Sequence, residues 1–121
     1  MPAASSGTAS ATSQSPVARC AALADDTRWN ILCRLGDGEL SASQLADLLP
    51  VTRQAIARHL GVLHAVGLVE QTRDGRQVKY RAVGSQLSRL AGDLDAIGRA
   101  WDQRLDRLAR LAESRANASG G

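Results

Sequence analysis

A chain of 121 residues has the length of one domain, and 44% apolar content can build a core; with no Phe, two Trp and one Tyr, that core has to be aliphatic. No charged start followed by an apolar stretch appears, and nothing approaches the roughly 18 consecutive apolar residues of a spanning helix, so the expectation is a cytoplasmic protein without a leader. The net charge is only +3, but between Val51 and Arg81 six basic residues against two acidic ones leave +4, while the rest of the chain sums to −1. Positive charge gathered in one segment is what a polyanion docks against.

In chain order, residues 1–16 are uncharged and rich in Ala, Ser and Thr, and residues 114–121 are rich in Ser, Ala and Gly with one Arg, so both are expected to be disordered tails around a domain at 17–113. Val17 to Ala24 reads as a short helix. Thr27 to Leu35 reads as a second, apolar at Ile31, Leu32 and Leu35 and ended by Gly36-Asp37-Gly38. Ser41 with Gln44 three residues later is a capping box, followed by Leu45, Leu48 and Leu49 at helical spacing until Pro50 stops the helix. Thr52 is the expected N-cap of the next helix, which runs to about Val66.

That fourth helix opens "VTRQAIARHL" and has two unlike faces. Wound at about 100° per residue, Arg53, Gln54, Ala57, Arg58 and Gly61 share one side, and Ile56, His59, Leu60, Leu63 and Val66 the other. Long donors separated by small residues let a backbone approach DNA, and Arg and Gln can bond base edges or phosphates bidentately. Two helices joined by a short turn make a helix-turn-helix, the second helix being the reader.

After Gly67 the period changes. Residues 68–73 and 76–81 read as strands around Asp74-Gly75, a type I′ hairpin signal that would put Val69 opposite Tyr80 and Glu70 opposite Lys79. Arg73 and Arg76 then flank the tip. From Ser85 to Ala112 a last helix carries Leu87, Leu90, Leu94, Ile97, Trp101, Leu105 and Leu108 three or four apart. So long a seam suits a two-fold partner, the alternative being that the helix folds back on its own core.

The expected fold is therefore mainly α with a small β-hairpin, in the order α-α-α-α-β-β-α of a winged helix-turn-helix. The runs "LADDTRWNIL", "GELSASQLADLL", "VTRQAIARHLGVLHAVGLV" and "RDGRQVKYR" resemble the ArsR family of dimeric bacterial repressors from Val17 to nearly the end. The resemblance implies a homodimer through the first and last helices, with Val17 and Leu23 joining the terminal seam. It implies double-stranded DNA as partner, contacted by Thr52, Arg53, Gln54, Ala57, Arg58, His59, Arg73, Arg76 and Lys79. Two departures matter. Where founding members carry metal-binding cysteines, this chain has Ser41 and Ser43, and no His follows His64, so no metal and no cofactor is expected. Ala57 stands where many relatives have a DNA-contacting serine. The ending "AWDQRLDRL" resembles a subgroup without a metal site, and the effector is not legible.

Among single residues, His59 reads as a packed structural histidine or else a phosphate contact, and His64 as surface. Trp29 and Trp101 read as core or dimer anchors rather than ligand-stacking groups. Cys20 and Cys33 read as inert buried thiols or as a thiol switch. No nucleophile-base pair or phosphate-cradling loop suggests an enzyme. The reading is a repressor on a near-palindromic operator in its own or a neighbouring promoter. The alternatives are a redox-responsive repressor using Cys20 and Cys33, or a winged protein-interaction module that does not bind DNA.

Overall fold

The computed structural model describes residues 15–120; most of the expected N-terminal tail, residues 1–14, lies outside them. The first compact unit extends to Ser88. Helix α1 is Pro16–Leu23, with Ser15 as N-cap accepting the Ala18 amide at 3.1 Å and Pro at N1, so residues 15 and 16 begin the helix rather than end the tail. Helix α2, Asp26–Leu35, is capped by Asp25. A short strand β1, Leu40–Ser41, leads into α3, Ala42–Leu48, and the expected capping box is present: the Gln44 amide donates to Ser41 Oγ at 3.1 Å, and the Ser41 amide to Gln44 Oε1 at 2.8 Å. After the turn at residues 49–52, Thr52 caps α4, Arg53–Ala65, its Oγ1 accepting the Ala55 amide at 3.2 Å.

The end of α4 is a Schellman motif. Gly67 takes φ +77, its amide donates to His64 O at 3.0 Å, and the Leu68 amide donates to Leu63 O at 3.1 Å. Leu63 and Leu68, the apolar pair that accompanies such a cap, are both fully buried. They join Ile31, Leu35, Leu45, Ile56, Leu60 and Val69 in an aliphatic core without a buried aromatic ring.

Strands β2, Val69–Asp74, and β3, Gln77–Ala82, form the hairpin, and β1 adds to the far side of β3 in an antiparallel sheet of order β1-β3-β2. The third strand was not expected: two residues between a turn and a capping box carry no alternating pattern. The register also differs from the expected one. Val69 pairs with Ala82 and Glu70 with Arg81, and the loop is Gly75-Arg76 instead of Asp74-Gly75. A type I′ turn needs two residues at positive φ, but no non-glycine among the described residues has one, and Gly75 alone supplies φ +64. Glycine at the first central position is the type II′ pattern.

Helix α5, Gly84–Gly120, starts in this unit and continues as the second, from Arg89. It runs past the expected end at Ala112, so residues 114–120 are helical here instead of forming a tail. In the second unit Leu94, Ile97, Trp101, Leu105 and Leu108 are each more than half exposed, and Leu111 extends the same row.

Candidate nucleic-acid interface

The core fixes which side of α4 faces out. With Ile56, Leu60 and Leu63 fully buried, Arg53, Gln54, Ala57, Arg58 and Gly61 are all exposed, as the helical spacing requires. Thr52 is exposed too, but its hydroxyl oxygen is engaged in the cap. Arg53 and Arg76 line one cleft of about 440 Å³ between the first turns of α3 and α4 and the hairpin, with Ser43 and Tyr80 in its wall. At the hairpin tip Arg73 and Arg76 are exposed.

Ion pairing sorts the basic residues of this segment. Lys79 Nζ lies 3.5 Å from Asp74 Oδ2, and Arg81 pairs with Glu70, its true cross-strand neighbour. Among the described residues no carboxylate lies within ion-pair distance of Arg53, Arg58, Arg73 or Arg76. The +4 read from the sequence therefore resides on these four guanidinium groups. Lys79, expected with them, is half-buried and already partnered. The sheet is braced further where Thr72 Oγ1 donates to Glu39 Oε2 at 3.1 Å.

His59 is half-buried, with Nδ1 3.4 Å from Arg28 Nη1, and His64 is exposed. The same Arg28 donates from Nε to Ala22 O near the end of α1, and its backbone amide donates to Asp25 Oδ1 at 3.0 Å. That amide is the main cause holding the Asp25 carboxyl below its ordinary range, with the Arg28 guanidinium adding to it. Cys20 and Cys33 are both exposed, which corrects the expectation of buried thiols: α1 and α2 present other residues to the core at these turns. Among the described residues, no three His, Cys, Asp or Glu side chains cluster to hold a metal ion, and Ser41 Oγ is spent on its capping box.

Of the expected seam, Val17, Leu94, Ile97, Trp101, Leu105 and Leu108 are exposed. Leu23 and Leu87 instead pack against the chain's own core, and Leu90 is buried. Trp29 is exposed and no part of the core.

One residue escaped the sequence reading. Arg19 is only 1% exposed, and its Nε donates to Val66 O at 3.2 Å while Nη2 donates to Gln86 Oε1 at 2.6 Å. The available signal was its place on α1: Ala22 and Leu23 follow three and four residues later, so Arg19 lies on the inward side.

A reading helix behind a capped turn, flanked by a three-stranded hairpin sheet with unpaired arginines at its tip, defines a winged helix-turn-helix DNA-binding module. Comparisons with known proteins agree. Residues 23–72 match a family described as a helix-turn-helix domain. The chain is 42% identical over 93 residues to the HTH-type transcriptional regulator CmtR of Mycobacterium tuberculosis, covering 77% of this chain and 79% of that one. It is 39% identical over 103 residues to the regulator Rv2034 of the same organism, covering 85% and 94%. The structure of an ArsR-like transcriptional regulator from Rhodococcus sp. RHA1 superposes with a TM-score of 0.73 at 49% identity, covering 80% of this chain and 92% of that one. The chain belongs to the ArsR family of winged helix-turn-helix regulators: it is a DNA-binding transcriptional regulator and not an enzyme. Family membership sets aside the reading as a protein-interaction module that does not bind DNA.

Proposed function

We propose that the protein is a homodimeric cytoplasmic repressor that binds a near-palindromic operator in its own or a neighbouring promoter and blocks polymerase access. The observation that carries this is the coincidence of four unpaired arginines, Arg53, Arg58, Arg73 and Arg76, with the exposed Gln54 on the reading helix and wing. Arg53 and Gln54, in the first turn of α4, read bases; Arg58, Arg73 and Arg76 hold phosphates. Thr52 sets the start of the helix, and Ala57 lets its backbone approach. His59 supports the helix from behind through Arg28.

Dimerisation is supported by the apolar row on α5. Leu94, Ile97, Trp101, Leu105, Leu108 and Leu111 follow one another three or four residues apart, as in a helical seam, and are exposed in the single chain, as is Val17 on α1. Two reading helices then meet half-sites one helical turn, roughly 34–36 Å, apart. A mobility-shift titration on the DNA upstream of the coding region tests the reading. Affinity for the best duplex within about tenfold of random sequence would overturn it.

Exposure of both thiols favours one second reading, release from DNA on oxidation. An oxidant arm of the same titration, repeated with Cys20→Ser and Cys33→Ser, decides it: oxidant-driven release abolished by the substitutions supports the thiol reading, and affinity unchanged by oxidant removes it.

A further inference from the structure

A buried guanidinium is costly, because its desolvation is repaid only by good hydrogen bonds, and an apolar side chain of similar volume often serves a core at least as well. Arg19 has this cost without a carboxylate partner among the described residues. Its contacts show what the charge does. In the Schellman motif ending α4 the carbonyls of Leu63 and His64 are taken by the amides of Leu68 and Gly67, and the carbonyl of the C-cap residue, Val66, is left facing α1. Arg19 Nε donates to it at 3.2 Å, which sets a cation at the negative end of the helix dipole. The other arm of the fork, Nη2, reaches Gln86 Oε1 at 2.6 Å in the first turn of α5. The planar fork offers two divergent donors that hold both acceptors in one fixed geometry, whereas a lysine ammonium on its flexible stem is a point charge.

We propose that Arg19 is a positioning residue for DNA recognition: it clamps the C-terminal end of the reading helix to α1 and to the first turn of α5, and so sets the angle at which Arg53 and Gln54 are presented. This rests on the reading of α4 as the base-reading helix. The clamp joins the two elements assigned to dimerisation directly to the carbonyl end of the reader. It touches no DNA itself, and the wing arginines that attract any duplex, Arg73 and Arg76, lie outside the clamped helix.

That separation supplies the test. Arg19→Met, Arg19→Lys and Gln86→Leu are made in the full chain and titrated against two duplexes: the best binder selected from a random-sequence pool by the wild type, and an unselected sequence. The measurements are made well below each variant's melting temperature. The expected result for Arg19→Met and Gln86→Leu is an operator affinity about tenfold lower, with random-duplex affinity and the salt slope unchanged. The Gly67 and Leu68 amides should exchange hydrogen faster in both variants. Arg19→Lys, which keeps the charge but not the fork, should remain impaired on the operator.

Parallel loss on both duplexes in step with melting temperature would mean that Arg19 only stabilises the fold, and unchanged operator affinity would overturn the inference outright. If Arg19→Met fails to fold, Gln86→Leu decides alone, because Gln86 is half-buried and opens the clamp from its other end. The wild type is measured first: if it does not discriminate between the duplexes, the proposed function falls, separately from any variant.

Discussion

Gln54 is uncharged and exposed in the first turn of α4, so replacing it should change what is read and leave how strongly DNA in general is held. Gln54→Ala should relax preference at one base pair in each half-site at a cost of about 1–3 kcal/mol, measured by binding to a panel of single-base operator variants. Arg73 and Arg76 should behave oppositely. Removing both should weaken every sequence alike and flatten the salt dependence by about one unit per lost phosphate contact. An unchanged slope would take the wing tip out of the interface. Lys79 is the informative contrast: because Asp74 holds it, Lys79→Ala should leave the slope within error of the wild type. Sequence alone could place these residues on helix and wing. Which charges were already neutralised depended on the strand register, and the register was not legible, since sliding the hairpin by two residues keeps every side chain on the same face.

At the scale of elements, the caps were the most readable features, because each is a local bond between residues three apart. Ser41 with Gln44, Thr52 and Gly67 stand where the sequence put them. Thr52→Ala should cost about 1 kcal/mol, seen as a lower denaturant midpoint with unchanged m-value. Asp25 gives a pH signature. Its carboxyl is held below its ordinary value in the folded chain, so its stabilising contribution is full above the unfolded value and is lost as pH falls through the folded one. Asp25→Asn should therefore flatten the acid side of the stability profile and leave its shape unchanged near neutrality. The partners of Arg19 lie 47 and 67 residues away in the chain, and no local pattern announces a bond of that range. The two residues of β1 were hidden for the same reason, being a strand only because β3 lies beside them.

For the whole molecule, the exposed row through Trp101 is the proposed assembly surface. Trp101→Asp would bury a charge in the proposed seam, so it should shift the chain toward monomer in sedimentation and weaken operator binding without altering a DNA-facing residue. Near-stoichiometric arsenite, zinc or nickel should leave operator affinity unchanged; release by metal, abolished on replacing Cys20 and Cys33 with Ser, would show that the thiols act as ligands. The pairing of β1 with β3 carries a last consequence. Ser41 is at once the ladder partner of Lys79 and the cap of α3, so the wing cannot tilt without dragging the start of the helix-turn-helix with it. The wing and the start of α3 therefore move as one. In the proposed dimer, a signal that leaves this coupling intact would act by changing the gap between the two DNA-binding halves. An induced protein should still grip an isolated half-site as firmly as before, and should lose the full operator because the spacing no longer fits.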